Sequence, residues 1–178
     1  RTLVTTMKTA CLRLLLSPVC LLSFAIGMAP GTVMAVGEGD DAPDFTLASL
    51  SGGNLRLVEY RGKVVLVNFW ASWCGPCRQE MPVLDQIHKR YSGAGFAVLG
   101  VNVEAAGSKA RQVATRTGVS FPLLFDEDQQ VSEAYAIETM PYSVLIDRAG
   151  KVRYIHKGYK PGDEGKYIDV LKSLLRSK

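Results

Sequence analysis

Between Val64 and Trp70 every residue but Asn68 is apolar. A continuous apolar run of this kind marks a strand buried on both faces, so structure must cover it above and below. Cys74-Gly75-Pro76-Cys77 follows within four residues, and Met81, Leu84, Ile87 and Tyr91 then recur at helical spacing. Pro82 falls inside that helix and should kink it. The alternation continues downstream. Phe96 to Val103 reads as a second buried strand, and Ser108 is placed to cap a short helix that stops at Gly118. Leu123 to Phe125 is a short strand, and Asp128 is placed to cap a helix over 129–136. Ser143 to Asp147 and Val152 to Lys157 flank the turn Arg148-Ala149-Gly150, and Ile168, Leu171, Leu174 and Leu175 mark an amphipathic helix after them. Upstream, Phe45–Leu47 and Leu55–Leu57 alternate around Ser51-Gly52-Gly53-Asn54 as a hairpin. Together these elements predict an α/β domain of three layers around a mixed central β-sheet.

The first cysteine of Cys74-Gly75-Pro76-Cys77 falls at the start of the predicted helix. Backbone N–H groups there lack intrahelical partners, and the helix dipole favours negative charge, so the thiolate is favoured over the thiol. Such positions pull a cysteine pKa below its free value of about 8.5, and the thiolate is the species that attacks a disulfide. Cys77 lies one turn along the same face, within reach of Cys74. Gly75 and Pro76 suit a tight first turn, where the missing N–H of Pro76 costs nothing. That missing donor also leaves less support for the thiolate, which points to a less oxidising pair. Arg78 adds a nearby cation. A purely structural disulfide and a zinc site stand beside the redox reading. Zinc needs four ligands. Beyond the pair the domain offers His88, which reads as a solvated helix residue, and His156, which reads as an exposed or half-buried strand residue. No metal site is expected.

Charge and cysteine count change meaning once the N-terminal segment is set apart. The chain has 178 residues, a formal charge of +4 and four cysteines. Arg1, Lys8 and Arg13 are the only charges before Glu38; without them 18 of the 21 Lys and Arg face 17 Asp and Glu. A nearly neutral domain lacks the dense basic face that nucleic-acid binding needs, so nucleic acid is not an expected partner. Leu14 to Met28 is almost wholly apolar, and Val33-Met34-Ala35 suits a signal peptidase. This pattern predicts a signal peptide over 1–35, cleaved after Ala35, with Met7 as the start. One rival is an uncleaved membrane anchor, which needs about 20 apolar residues and must run through Pro18 and Pro30. A buried core helix is another, and the charge asymmetry argues against it. A lipid anchor at Cys20 is disfavoured by Val19 before it. On export, Cys11 and Cys20 belong to the leader, and the domain over 36–178 holds only Cys74 and Cys77. Two cysteines three apart are no stabilising framework.

Phe69-Trp70-Ala71-Ser72-Trp73-Cys74-Gly75-Pro76-Cys77 resembles the active site of thioredoxins. Ala42-Pro43-Asp44-Phe45 with its hairpin, Asn68-Phe69-Trp70, Glu80-Met81-Pro82 and Tyr142 to Gly150 resemble the exported TlpA/ResA-like thiol–disulfide reductases over most of 42–178. The resemblance implies a thioredoxin-like fold with an N-terminal β-hairpin extension. It implies that Cys74 is an exposed nucleophile and Cys77 a buried resolving cysteine, with a redox-active disulfide between them and no other cofactor. Gly75 and Pro76 are matched as the supporting turn. Pro141 is matched as a cis-proline beside the site, and Met140 as a wall of the groove for the substrate segment. Glu80 is matched as an aid to proton transfer. Taken alone, Met140-Pro141 reads as an ordinary loop, and Glu80 as a solvated carboxylate of the first helical turns. Trp73 is matched as a shield and contact surface, and Trp70 as packing beneath the site; each also reads as a core aromatic. Cytosolic thioredoxins have a buried Asp where this chain has Asn68. An amide cannot shuttle a proton, so deprotonation of Cys77 falls to Glu80, to water or to the mixed-disulfide leaving group.

The expectation is a monomeric thiol–disulfide oxidoreductase, periplasmic or otherwise extracytoplasmic, that reduces protein disulfides where disulfides persist. The resemblance implies a membrane electron donor that recharges it. Apocytochrome c and copper-delivery proteins are implied substrates. Membrane attachment is expected only if the leader stays uncleaved. One alternative is a Cu(I)-handling protein, since thiolates suit Cu(I), although such carriers usually add a nearby His or Met. The other is a thiol peroxidase, suggested by Asp44-Phe45-Thr46-Leu47. Peroxiredoxins place a Thr three residues and a Pro seven residues before the reactive cysteine, where this chain has Ala71 and Val67.

Overall fold

A computed structural model describes residues 35–106 and 108–177. The predicted signal peptide up to Met34, with Cys11 and Cys20, lies outside the described residues. Strand β1 (Thr46–Ser49) pairs with β2 (Asn54–Arg56) as the expected hairpin, Leu47 opposite Leu55. β3 (Val64–Trp70) and β4 (Phe96–Asn102) are buried at every position and run parallel, joined through α1 (Gly75–Tyr91). α2 (Ala110–Thr117) leads to β5 (Leu123–Phe125), parallel to β4. After α3 (Gln130–Ala134), β6 (Tyr142–Ile146) and β7 (Val152–Lys157) pair antiparallel, and α4 (Glu164–Arg176) follows. The sheet order is β2-β1-β5-β4-β3-β6-β7. The sheet is mixed, and β3 lies inside it between β4 and β6. Among the described residues no helix is long and apolar enough to cross a membrane.

Side-chain alternation along β3 builds the layers. Val64, Leu66 and Trp70 face a core shared with Met81 and Leu84 of α1 and Tyr167 and Leu171 of α4. Val65, Val67 and Phe69 face the opposite core with Leu47, Leu57 and Tyr135. Burying each such side chain contributes roughly 1.5–3 kcal/mol, so β3 is fixed from both sides. The same alternation points Asn68, also buried, toward α1. Gly100 sits opposite Asn68 in β4. A Cβ there would come within 2.7 Å of Leu123 Cδ2 and 3.0 Å of Phe121 Cε2, with Trp70 Nε1 3.6 Å away. The strand glycine therefore makes room for packing beneath the cysteine pair.

Some local expectations differ from the structure. α2 begins at Ala110, and Ser108 supports it by accepting from Ala110 N at 3.2 Å. The helix expected over 129–136 shortens to Gln130–Ala134, and its main carboxylate is Asp126, not Asp128. Asp126 accepts from Val131 N at 3.1 Å and from Ser132 N and Oγ at 2.7 and 2.6 Å. Gln129 has φ 62, a left-handed turn that folds the helix start back over an acid four residues before it. Pro82 lies inside α1, as read from the sequence, and is exposed. His88 is not a solvated helix residue. Its Nδ1 accepts from Val98 N at 3.3 Å, its ring meets Phe121 edge-on, and burial lowers its pKa.

Candidate active site

β3 ends at Trp70 and delivers Ala71, Ser72 and Trp73 to the amino end of α1. Several contacts hold this connection. Trp70 O accepts from Val103 N at 3.1 Å and from Asn102 Nδ2 at 3.3 Å. The Glu104 carboxylate accepts from Ser72 N and, at 2.8 Å, from Ser72 Oγ. Arg78 Nη1 donates to Ser72 O at 3.2 Å, so this cation tethers the loop backbone as well as adding positive charge near the pair.

Cys74 is the N-cap of α1 in extended conformation, and its Sγ accepts from Cys77 N at 3.2 Å. The same donor supports negative charge on a sulfur at this position. Cys74 and Cys77 are joined as a disulfide, with Pro76 in the first turn between them. Cys74 retains 4% of its surface and Cys77 none. The predicted order of access holds, although in the disulfide Cys74 is nearly covered instead of exposed. Trp73 is 68% exposed and is no core aromatic, whereas Trp70 is fully buried and packs in one core with the pair.

Glu80 is not the solvated carboxylate that its position in α1 suggests when taken alone. It is 0% exposed and stands three residues after Cys77, on the same helical face. Its Oε2 accepts from Asn68 Nδ2 at 2.8 Å, and its Oε1 accepts from Tyr167 Oη at 2.6 Å and Ser143 Oγ at 3.4 Å. Desolvation pushes its pKa up, and the three donors oppose that shift; burial wins and leaves the group at about 7. A carboxyl poised there can take up or release a proton at neutral pH.

The Met140–Pro141 peptide bond is cis, and Pro141 is buried just before β6. Met140 and Trp73 share the wall of a cleft of about 500 Å³ that Val103, Ile137, Glu133 and Glu138 also line. The structure thus brings Trp73 together with Met140 on one surface and Cys77 together with Glu80 on one helix.

Three residues of this site escape sequence reading. Glu104, Ser143 and Tyr167 lie 32, 63 and 87 residues from the groups they contact. Ser143 carries a faint signal, being polar in an otherwise buried strand, as Asn68 is in β3. Tyr167 carries none, since an aromatic on the inner face of an amphipathic helix reads as packing.

Residues 37–171 match the Redoxin family. The chain is 40% identical over 152 residues to the thiol-disulfide oxidoreductase ResA of Geobacillus thermodenitrificans (strain NG80-2), covering 85% of this chain and 86% of that protein. Its fold is similar to the solved structure of the provisionally named thiol:disulfide interchange protein DsbE of Chlorobium tepidum. That match has 38% identity and a TM-score of 0.75, covering 79% of this chain and 99% of the other. The pneumococcal exposed lipoprotein thioredoxin Etrx1 of Streptococcus pneumoniae strain TIGR4 is similar at 31% identity and a TM-score of 0.63, covering 74% and 100%. In this chain a buried strand feeds a Cys-Gly-Pro-Cys disulfide into a helix start. The chain accordingly belongs to the Redoxin family and is a TlpA/ResA-like thiol–disulfide oxidoreductase of the thioredoxin superfamily.

Proposed function

We propose that the protein works outside the cytoplasm as a reductant of protein disulfides, with Cys74 as nucleophile, Cys77 as resolving cysteine and Glu80 as the acid–base group. The observation that carries this reading is the wholly buried Glu80 carboxyl, poised at about 7 one turn beyond Cys77. A disulfide with only a stabilising task needs no titratable group buried beside it.

The chemistry follows in two exchanges. In the reduced protein the Cys74 thiolate attacks one sulfur of a substrate disulfide. That bond breaks, a mixed disulfide forms, and the first substrate sulfur leaves as a thiolate that takes a proton. Glu80 then accepts the proton of the Cys77 thiol. The Cys77 thiolate attacks Cys74 Sγ, the second substrate thiolate leaves, and the Cys74–Cys77 disulfide forms. Two electrons pass to the substrate, and a dithiol donor must return two to the protein. Trp73 and Met140 offer the apolar surface on which an extended substrate segment lies, with the backbone beside Pro141 available to pair with it.

The compartment, the membrane electron donor and apocytochrome c as substrate belong to the same proposal. The leader-like composition of residues 1–35 supports export, as does likeness to a protein named as an exposed lipoprotein. Single-turnover reduction of insulin by the pre-reduced protein tests the assignment. Cys74→Ser is expected to abolish reduction, and Cys77→Ser to accumulate a mixed disulfide through Cys74, visible on a non-reducing gel. Reduction retained in Cys74→Ser, or no trapped species in Cys77→Ser, would overturn the roles.

A further inference from the structure

Tyr167 makes the shortest hydrogen bond to Glu80, at 2.6 Å, yet it comes from a helix that carries none of the cysteine chemistry. Both groups are buried, Glu80 at 0% exposure and Tyr167 at 1%. The Tyr167 ring is held in orientation by His156, edge-on at 5.1 Å, and by Tyr154 at 6.5 Å. Its hydroxyl is thus aimed at one place. A hydroxyl that donates to a carboxylate is favoured when the carboxylate is ionised, because charge-assisted hydrogen bonds are the stronger ones. Without it Glu80 would keep Asn68 and the longer contact from Ser143.

We propose that Tyr167 is a positioning residue for the dithiol chemistry, its hydroxyl fixing the Glu80 carboxyl and favouring the ionised form that accepts the Cys77 proton. The proposal rests on the role given to Glu80 above. The titratable groups around the pair are Cys77 on α1, Tyr154 and His156 on β7, and Tyr159 and Asp163 ahead of α4. Asp163 disfavours ionised Glu80 through like charge. Asp163 in turn accepts from Lys166 Nζ at 2.8 Å and lies 3.2 Å from His156 Nε2, so the start of α4 brings an opposing charge together with its own counter-ion, Lys166, along with the tyrosine. Tyr167 is the titratable group that hydrogen-bonds Glu80. Tyr167 itself stays protonated, its pKa raised by burial and by Glu80.

The test is the pH dependence of single-turnover insulin reduction in wild type, Tyr167→Phe, Glu80→Gln and the double variant. The wild type is expected to show an inflection that Glu80→Gln lacks. Tyr167→Phe keeps the ring and should retain the inflection, moved up by about one pH unit, since a hydrogen bond to a charged group is worth about that much. Below the midpoint its rate should fall roughly tenfold, and at high pH it should recover. In the Glu80→Gln background, Tyr167→Phe should move nothing further. An unmoved inflection in Tyr167→Phe, with Glu80→Gln still flat, overturns the role of Tyr167 alone. An inflection that survives in Glu80→Gln overturns both readings. A second readout on the wild type needs no variant to fold. In carbon-13 spectra the Tyr167 Cζ signal should follow the Glu80 carboxyl titration with the same midpoint, and a Tyr167 signal flat across that titration contradicts the proposal.

Discussion

Glu80 and Asp126 are both carboxylates with 0% exposure, and each has a buried tyrosine in its half of the molecule, Tyr167 on the α1 side and Tyr135 on the other. Their partners differ in kind. Asp126 accepts from two backbone N–H groups and the Ser132 hydroxyl, and Tyr135 donates to the carbonyl of Pro43 at 2.9 Å. Backbone partners of this sort are fixed in the main chain and cannot turn away, so Asp126 and Tyr135 hold α3 and the start of the domain in place. Glu80 is held only by side chains, Asn68, Ser143 and Tyr167. Oδ1 of Asn68 beside it has no partner among the described residues. The α1 side accepts an imperfectly satisfied polar cluster that an apolar core would avoid. The two buried acids are therefore distinguished by the nature of their partners and not by burial, and the proposed proton transfer falls on the one held by side chains.

The largest contrast should appear in rate. Glu80→Gln is expected to lower insulin reduction above neutral pH by about 100-fold, the usual scale for a lost acid–base group, and to flatten the profile. Asp126→Asn should leave the profile's midpoint where it is. A midpoint moved by Asp126→Asn would mean that the two acids are not separable as described.

Stability should depend on pH through Glu80. Its pKa rises from 4.5 in the unfolded chain to about 7 in the folded protein, so the folded state binds more protons between those values. This stabilisation is complete below the unfolded pKa and is lost as pH rises through the folded one, on the order of 3 kcal/mol in all. Denaturant titrations at pH 5 and pH 8 should show the wild type weaker at the higher pH, and Glu80→Gln should lose most of that difference. Asp126→Ala is expected to cost about 2 kcal/mol at either pH, the scale of a lost helix cap with buried donors left behind. The smallest effect is that of Tyr135→Phe, about 1 kcal/mol in the same titration, for one hydrogen bond to a carbonyl.

The strands, the hairpin and the helix that begins at the cysteine pair were legible because each rests on local periodicity or on a motif at a fixed spacing. Cys74 and Cys77 were legible from their motif at the start of a helix, and the cis bond before Pro141 only through resemblance, since Met140-Pro141 alone says nothing about isomer. Glu80 was legible as a position but not as an environment. Its burial depends on Asn68, Ser143 and Tyr167, which the sheet register and α4 bring together from distant parts of the chain. Asp126 was missed for a related reason: a left-handed residue at Gln129 reverses the chain before the helix, and no composition rule anticipates that turn. His88 was misread because its helix face looks polar from sequence, while the partner at Val98 comes from the neighbouring strand.

The proposed direction of electron flow is from the Cys74–Cys77 pair to its substrates. Equilibration of the pair against glutathione of known ratio measures its reduction potential. A value near that of thioredoxin, about −270 mV, is expected of a reductant, and a value near that of the strong oxidant DsbA, about −120 mV, would contradict that direction.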